Sequence, residues 1–380
     1  MKLKRLTALL VAAALSLSLS LAGCGGDSAS AGESAPAPTE PAATQTPEAA
    51  EGSDQAVILD ENGEVYAELE ATDAPTEYPV TLTDQAGREV TIESQPETLV
   101  SGYYISTSLL IALGLEDNLV GIEAKADTRP IYALSAPQLL ELPSVGTAKE
   151  FDLEGCAALA PDLVILPLKL QDAAESLAEL GITALVVNPE DQALLEEAIT
   201  LIGKATNTGV RASELLDFTY TQEARLTETL ADAERPSVYL AGNSDFLSTA
   251  GDAMYQSDMI RMAGGVNAAA ELTDTYWAQV SYEQVLAWDP DYIILASDAS
   301  YTVDDVLADP NLAGCAAVEN GNVYQIPGDA EAWDSPVPSG ILGAVWLSSV
   351  LHPDLCSEAD SIAVMNEFYE TFYGFTYREN

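Results

Sequence analysis

Short apolar segments alternate with helical segments along most of the chain after residue 78. In the first part of this region, the apolar runs are only a few residues long, as expected for strands, and the segments between them have helical spacing. The pattern predicts strands at Leu99–Tyr103, Leu119–Glu123, Leu163–Leu166 and Thr183–Val187, and helices at Ser106–Leu113 and Asp172–Leu180. Such an alternation is typical of a parallel sheet covered by helices.

A second region of the same kind follows after residue 234. Its apolar runs predict strands at Val238–Ala241, Tyr292–Ala296 and Val323–Ile326, and helices at Tyr255–Ala263 and Leu342–Leu351. Residues 190–234, between the two regions, contain no proline and only two closely spaced glycines. They predict a shorter helix followed by one over Val210–Ala233, which would be about 36 Å long.

An internal repeat relates the two regions. Residues 152–166 align without gaps with residues 281–295. Each copy has a helix N-cap residue, a glutamate two places later, a short apolar helix, a Pro-Asp pair and a buried strand. The paired positions are Asp152 with Ser281 at the N-cap, and Glu154 with Glu283 in the first turn. The repeat therefore predicts an α/β fold of two similar lobes with parallel sheets, on either side of the long helix.

The N-terminus has the features of an export signal. Basic residues precede an apolar run that is short for a membrane span, and the run ends in Leu21-Ala22-Gly23-Cys24. This ending resembles the bacterial lipobox, in which the cysteine becomes the lipidated first residue; the alternative is an ordinary signal peptide with a chance cysteine. We predict a signal peptide over residues 1–23, an acidic low-complexity tether over 24–77 with a small hairpin at 57–66, an N-terminal lobe over 78–189, connecting helices over 190–234, and a C-terminal lobe over 235–380.

Charge and composition exclude several classes of protein. The chain has 14 basic and 61 acidic residues, a formal net charge of −47, so it would repel nucleic acid and anionic lipid headgroups. We therefore expect no nucleic-acid partner and contact with the membrane only through the lipid anchor. Cys156, Cys315 and Cys356 form no CxxC pair, and His352 is the single histidine, so no zinc or redox site is expected. No nucleophile motif or phosphate-binding glycine loop is recognisable, so we expect neither an enzyme nor a cofactor.

Several segments together resemble one family. They are the lipobox and tether, Leu82–Arg88 at the start of the first lobe, the twin Glu-x6-Pro-Asp units, Met262–Asn267 and Gly321–Tyr324. The combination is similar to the substrate-binding proteins of ABC importers for iron–siderophore complexes, haem and cobalamin. The resemblance, from about Val80 to Leu355, implies the helical-backbone periplasmic binding protein fold. In that fold two Rossmann-like lobes with parallel sheets are joined by one long rigid helix, and the ligand is held in the cleft between them.

The resemblance also implies a partner for the twin glutamates. In the family, matching glutamates dock into arginine pockets on the two permease subunits, so we expect Glu154 and Glu283 to contact an ABC permease dimer. The alternative is that each carboxylate only stabilises its helix N-terminus, which is favourable by about 0.3–1 kcal/mol. That effect does not explain why both copies place an equivalent glutamate at the same distance from Pro-Asp.

Candidate ligand-binding residues follow from the general position of ligands in open α/β sheets, beyond the carboxyl ends of the strands. They are Tyr103, Tyr104, Lys125, Arg129, Lys149, Lys169, Asn243 and Phe246. Two aromatic residues are added to them: Trp277, just before the second copy of the repeat, and Trp333, within residues 331–336. Aromatic faces suit large flat ligands, and the four basic residues suit an anion because they lie close together on so acidic a protein. The alternative for the basic residues is four solvated loop charges, and for the aromatic residues ordinary packing.

These observations predict a monomeric, lipid-anchored extracytoplasmic protein. We expect it to capture an iron–siderophore, or a related metal chelate such as haem or cobalamin, and to deliver it to the permease. Two alternatives stay open. One is a molybdate- or tungstate-type oxyanion binder of the same fold; the other is a lipoprotein that senses or scavenges its ligand without a transporter.

Overall fold

We describe a computed structural model of the protein over residues 57–59, 65–68, 74–273 and 277–378. The predicted signal peptide, the predicted lipidation site Cys24 and most of the predicted tether lie outside the described residues. The chain divides into a first unit, residues 1–71, and a second unit, residues 72–380. In the first unit, β1 (Val57–Leu59) pairs antiparallel with β2 (Val65–Glu68), at the place where the sequence predicts a hairpin.

The second unit alternates strands and helices. Its strands are β3 (Val80–Thr83), β4 (Glu89–Ile92), β5 (Leu99–Ser101), β6 (Leu119–Gly121), β7 (Leu163–Pro167), β8 (Ala184–Val187), β9 (Ser237–Ala241), β10 (Ser248–Ala250), β11 (Val266–Asn267), β12 (Trp277–Gln279), β13 (Tyr292–Leu295) and β14 (Val323–Gln325). Its α-helices are α1 (Tyr104–Ala112), α2 (Pro130–Ser135), α3 (Leu153–Ala158), α4 (Gln171–Glu179), α5 (Gln192–Thr206), α6 (Gly209–Thr229), α7 (Tyr255–Met262), α8 (Tyr282–Trp288), α9 (Val303–Leu307), α10 (Ala316–Asn320), α11 (Ile341–Leu351) and α12 (Glu358–Phe372).

The first lobe contains a four-stranded parallel sheet in the order β6-β5-β7-β8. The central strand β7 is buried along its whole length, as its unbroken apolar sequence predicts. Its side chains pack with those of α3, α4 and β8 in one core that includes Val164, Leu166, Leu177 and Val186. The predicted parallel sheet of this lobe is confirmed.

The sheet of the second lobe has the order β12-β10-β9-β13-β14, with the short β11 also pairing with β9. The strands β9, β13 and β14 are parallel, as predicted, but β10 and β12 are antiparallel to their neighbours. For β10, the reason is the short loop of residues 242–247 that follows β9, since a parallel return needs a crossover of a dozen or more residues. This lobe therefore has a parallel centre with an antiparallel edge.

The lobes are connected through α5 and α6. The helix α5 ends at Thr206, and Asn207 follows in the left-handed conformation with φ of 60°. The helix α6 has 21 residues and is about 31 Å long. It ends at Thr229 rather than at Ala233, because the chain has to turn there to enter β9.

The last helix, α12, has no counterpart in the sequence prediction, which ended with α11. Ser357 caps it by accepting a hydrogen bond from the backbone N–H of Asp360 at 3.1 Å. Its apolar face, with Phe368 and Tyr369 fully buried, packs against the rest of the unit. No helix in residues 74–273 and 277–378 is long and apolar enough to cross a membrane.

Candidate functional site

The twin glutamates occupy equivalent places in the two lobes. Glu154 and Glu283 are both exposed, and each is the second residue of its helix, α3 or α8. The side chains of Asp152 and Ser281 each accept a hydrogen bond from the backbone N–H three residues on, as predicted for N-caps. Hydrogen bonds from its own backbone N–H and from the Ser281 hydroxyl lower the pKa of Glu283, so this carboxylate is ionised at neutral pH.

The Pro-Asp pairs of the repeat hold neighbouring strands. In the first lobe, Asp162 Oδ2 accepts hydrogen bonds from Thr98 N at 2.9 Å and from Thr98 Oγ1 at 2.8 Å. In the second lobe, Asp291 Oδ2 accepts the same two bonds from Ser237 N and Oγ, both at 2.8 Å. These contacts fix the end of the helix that carries each glutamate to the start of the neighbouring strand, β5 or β9. The helix that carries each glutamate is therefore held in the same way in the two lobes.

A small pocket lies between the lobes. Tyr104, Arg129 and Tyr132 line it from the first lobe, and Asp298, Glu331 and Val337 line it from the second. Its free volume is about 30 Å³, roughly the space of one water molecule. We call this the inter-lobe pocket. Its position agrees with the predicted cleft, because Tyr104 follows β5 and Arg129 precedes α2 at the carboxyl edge of the first sheet.

Arg129 is the cation of the inter-lobe pocket. Its guanidinium carbon lies 4.0 Å from the centroid of the Tyr104 ring, a cation–π contact. The Tyr103 ring meets the Tyr104 ring edge-on, with 5.3 Å between their centroids. Within the part of the chain that the structure describes, no carboxylate forms an ion pair with Arg129. The half-buried guanidinium is therefore available to a ligand.

Two buried acids near this guanidinium were not predicted. Glu123 accepts hydrogen bonds from the hydroxyls of Thr107 and Tyr132, both at 2.6 Å, and Glu331 accepts one from Ser339. Burial raises the pKa of both glutamates above the usual range, so each has a weaker tendency to carry negative charge. The available signal was weak: Glu123 ends a predicted strand, and nothing in the sequence reveals that Glu331 is buried.

The three lysines do not line the inter-lobe pocket. Lys125, Lys149 and Lys169 are all exposed, on loops at the carboxyl edge of the first sheet. Lys125 begins a short turn with φ of 67°, in the left-handed region. Of the four predicted basic residues, only Arg129 lines the pocket, and the lysines have the exposure of solvated loop charges.

The predicted residues of the second lobe divide into exposed and buried ones. Asn243 is exposed in the loop after β9, and Trp277, on the edge strand β12, retains 42% of its exposure. Trp277 lies over Gly242, where an added Cβ would come within 2.9 Å of the indole. These two side chains are accessible, although neither lines the inter-lobe pocket.

Phe246 and Trp333 require a correction, because the structure places both in the core. Phe246 is 8% exposed, and its ring centroid lies 5.4 Å from that of Tyr239 in the core of the second lobe. Trp333 is 1% exposed, and its Nε1 donates a hydrogen bond to Tyr369 Oη at 2.8 Å. Side chains so enclosed offer a ligand almost no surface, so we leave both out of the candidate site.

Comparison with known proteins identifies the family. The sequence profile of the periplasmic binding proteins matches residues 99–330. The chain belongs to the periplasmic binding protein family. Together with the cobalamin-binding relatives, this match confirms the resemblance to the iron–siderophore, haem and cobalamin group of periplasmic binding proteins. Periplasmic binding proteins of ABC transporters deliver small-molecule ligands to their permeases and are not themselves enzymes.

The molybdate-binding protein MolA of Haemophilus influenzae is 27% identical over 324 residues, which cover 78% of this chain and 92% of MolA. The uncharacterized ABC transporter substrate-binding lipoprotein YvrC of Bacillus subtilis is 28% identical over 298 residues, 74% of this chain and 88% of YvrC. A periplasmic solute binding protein from Veillonella parvula has a solved structure that matches with a TM-score of 0.70 at 28% identity, covering 79% of this chain and 94% of that one. Like them, this chain is an ABC-transporter periplasmic binding protein.

Proposed function

We propose that this periplasmic binding protein captures an anionic metal complex between its lobes and delivers it to an ABC permease. The observation that carries the proposal is Arg129, a half-buried guanidinium in the inter-lobe pocket that forms no ion pair among the described residues. On a chain with a net charge of −47, an anion needs such locally placed positive charge. The planar guanidinium also suits the oxygen atoms of oxyanions and carboxylates.

The other described arginines are either paired with a carboxylate or exposed, since Arg225 and Arg235 lack an ion pair but lie at the surface. Four of them form ion pairs, Arg88 with Asp84, Arg211 with Glu214, Arg261 with Asp258 and Arg378 with Asp329. A guanidinium withdrawn from water without such a partner is costly unless a ligand supplies the anion. The two acids near Arg129, Glu123 and Glu331, form no ion pair with it, and burial raises the pKa of each, which supports a ligand-binding role for this side chain.

Anionic metal complexes of two different sizes could bind beside Arg129. A ferric siderophore or a related chelate presents anionic oxygen atoms and flat faces, which suits Tyr103 and Tyr104 beside Arg129. A small oxyanion such as molybdate is favoured by a second observation, the pocket volume of about 30 Å³. A large chelate would require the lobes to lie farther apart, whereas molybdate needs only a small displacement. The name of the relative MolA supports the same candidate.

A binding experiment separates these ligands. The protein without its signal peptide is titrated calorimetrically with sodium molybdate, ferric tris-catecholate, haemin and cyanocobalamin, with sodium sulfate as a control for size and charge. We expect tight binding of one anionic metal complex and loss of at least about tenfold in affinity on Arg129→Gln, equivalent to about 1.4 kcal/mol. Arg225→Gln, at an exposed arginine of α6, is the matched control. Equal affinities of Arg129→Gln and the wild type would refute the proposal.

Anchoring and docking complete the proposed function. The lipobox ending in Cys24 supports a lipid anchor on the outer face of the cell membrane. The equivalent exposure of Glu154 and Glu283, one on each lobe, supports their docking onto the two subunits of the permease. A lipoprotein that only senses or scavenges its ligand would not need this pair. Uptake by cells that carry variants of both glutamates therefore separates the two functions.

A further inference from the structure

Two short helices of the first lobe carry the cation of the inter-lobe pocket and the ring beneath it. Tyr104 is the first residue of α1, and Arg129 is the N-cap residue of α2. The guanidinium carbon lies 4.0 Å from the centroid of the Tyr104 ring. A long side chain binds an anion well only if it is placed before the anion arrives, because ordering it on binding lowers the affinity. The placement of α1 relative to α2 therefore decides how Arg129 is presented.

One residue outside the pocket bonds to both of these helices. Tyr373 directly follows α12 and is 4% exposed. Its hydroxyl shares a hydrogen bond of 2.8 Å with Ser108 Oγ and donates to Ser108 O at 3.3 Å, on α1. Its carbonyl oxygen accepts a hydrogen bond of 2.7 Å from Ser135 Oγ, at the end of α2. Tyr373 does not line the inter-lobe pocket, yet it links the two helices that form one side of it.

Tyr373 is itself fixed to the second lobe. Its backbone N–H donates to the carbonyl oxygen of Tyr369 at 2.9 Å, so it continues the hydrogen-bonding pattern of α12. The helix α12 packs against α11, and Tyr369 Oη accepts a hydrogen bond from Trp333 Nε1 at 2.8 Å. The N–H, carbonyl and hydroxyl groups of Tyr373 therefore bond to α12, α2 and α1 respectively. Through this one residue, the second lobe holds both helices of the first.

The connecting helix α6 strengthens the same junction. Arg211 Nε donates to the carbonyl oxygen of Ala112, the last residue of α1, at 3.1 Å. Its Nη2 donates to the carbonyl oxygen of Thr371 in α12, and its guanidinium carbon lies 4.6 Å from the centroid of the Phe372 ring. The helix α1 is therefore tied to the end of α12 at Ser108 and again, one turn later, at Ala112.

We infer that Tyr373 is a positioning residue of the inter-lobe pocket, which holds α1 and α2 in the relation that places the Arg129 guanidinium over the Tyr104 ring. The inference rests on the proposed role of Arg129 in binding an anion. It gives a role in ligand binding to a residue beyond the segment that matches the family profile, residues 99–330. Because Tyr373 belongs to the second lobe, a displacement of that lobe acts on Arg129 through these hydrogen bonds.

Two substitutions remove the bonds to the two helices separately. Tyr373→Phe keeps the ring and removes the bonds to Ser108, whereas Ser135→Ala removes the bond to α2. In titrations with sodium molybdate and with ferric tris-catecholate, each should weaken binding by about threefold to tenfold. An affinity of Tyr373→Phe equal to that of the wild type would overturn the inference.

The matched control is Tyr239→Phe. Tyr239 is fully buried in the core of the second lobe, and its hydroxyl donates to the carbonyl oxygen of Phe246 at 2.7 Å. Tyr239→Phe therefore removes a buried hydroxyl of the same kind, and it should lower the melting temperature by about as much as Tyr373→Phe. Its ligand affinity should equal that of the wild type. Equal losses of affinity in the two variants would mean that only overall stability matters, which contradicts a positioning role.

A variant of Arg129 makes the test specific. In the Arg129→Gln background, Tyr373→Phe should cause no further loss of affinity, because no guanidinium is left to position. Additive losses for the two substitutions would show that Tyr373 acts independently of Arg129 and would overturn the inference.

A measurement without ligand separates this inference from the proposed function. In protein labelled with ¹⁵N-arginine, the side-chain Nε–H signal of Arg129 is assigned by its loss in Arg129→Gln. The signal should move in Tyr373→Phe and in Ser135→Ala, because the guanidinium shifts relative to the ring beneath it, and should stay in place in Tyr239→Phe. A signal that stays in place in Tyr373→Phe refutes the positioning role. If Arg129→Gln binds both probes as well as the wild type does, or the wild type binds neither, the proposed function fails, and this signal alone decides whether Tyr373 positions Arg129.

Discussion

Phe246 offers a direct test of the distinction between core and cleft. The sequence places it just after a strand and predicts a cleft residue, whereas the structure places it in the core of the second lobe. Its ring is stacked on Tyr282, with 6.1 Å between centroids, and meets Tyr301 edge-on at 6.3 Å. The two placements predict opposite results for one substitution, Phe246→Ala.

The expected loss of stability follows from the burial of the ring. Replacing a buried phenylalanine by alanine removes its transfer free energy and leaves a cavity, at a cost of about 3–5 kcal/mol. For a unit of this size, that loss corresponds to a decrease in Tm of about 5–8 °C. Phe246→Leu keeps most of the apolar volume and should cost about 1–2 kcal/mol. Ligand affinity, measured well below the melting temperature of the variant, should change little.

Urea unfolding followed by circular dichroism gives the stability, and calorimetric titration gives the affinity. Trp277→Ala is the matched comparison, because Trp277 is an aromatic residue of the same lobe that remains 42% exposed. It should lose much less stability than Phe246→Ala. An unchanged midpoint for Phe246→Ala together with a large loss of affinity would refute the placement of this ring in the core.

Three further predictions follow. Cys24→Ser should release a folded, ligand-binding protein from the membrane, and retention of the variant in the membrane fraction would contradict the lipobox. Glu154→Ala and Glu283→Ala should leave the melting temperature and the ligand affinity nearly unchanged but lower ligand uptake, and the double variant should lower it most. The control is Glu319→Ala, at an exposed first-turn glutamate of α10, which should have no effect on uptake. Normal uptake by the double variant would rule out docking through Glu154 and Glu283. Burial raises the pKa of Glu196 to about 7 and that of Glu223 to about 8. Because each pKa is higher in the folded protein than in the unfolded chain, the contribution of these groups to the free energy of unfolding is complete below about pH 4 and is lost as the pH rises towards 8. Melting curves from pH 4 to 9 should therefore show a weaker decline for Glu196→Gln and Glu223→Gln than for the wild type, and identical slopes would contradict the assignment.

The repeat was the most predictable part of the fold, because its signals are local. The N-caps Asp152 and Ser281 and the short helices after them depend on residues within a few positions of one another. The strands of the parallel sheets are likewise continuous apolar runs. The hydrogen bonds between the Asp of each Pro-Asp pair and the start of the neighbouring strand could not be predicted, since Thr98 and Asp162 are far apart in the chain.

The strands β10 and β12 and the helix α12 are absent from the sequence prediction for different reasons. The strands β10 and β12 are short and partly polar, so periodicity alone does not separate them from loops. The helix α12 did have a readable signal, an N-cap at Ser357 with Glu358 and Asp360 in the first turn. Its apolar residues also recur at helical spacing, so this helix could have been found by the same criteria as the others.

The inter-lobe pocket shows most clearly what a sequence leaves undetermined. The scarcity of basic residues points to Arg129 as a candidate ligand-binding residue, but the same criterion also selects three lysines that are exposed to solvent in the structure. The difference arises from long-range packing, which places the Tyr104 ring beneath only one of the four cations. The same packing buries Glu123 and Glu331 and raises the pKa of each, so acids that appear in the sequence as negative charges are less able to oppose an anion at this place. The charge that a ligand meets is therefore set by burial, and the acidic composition of the chain does not predict it.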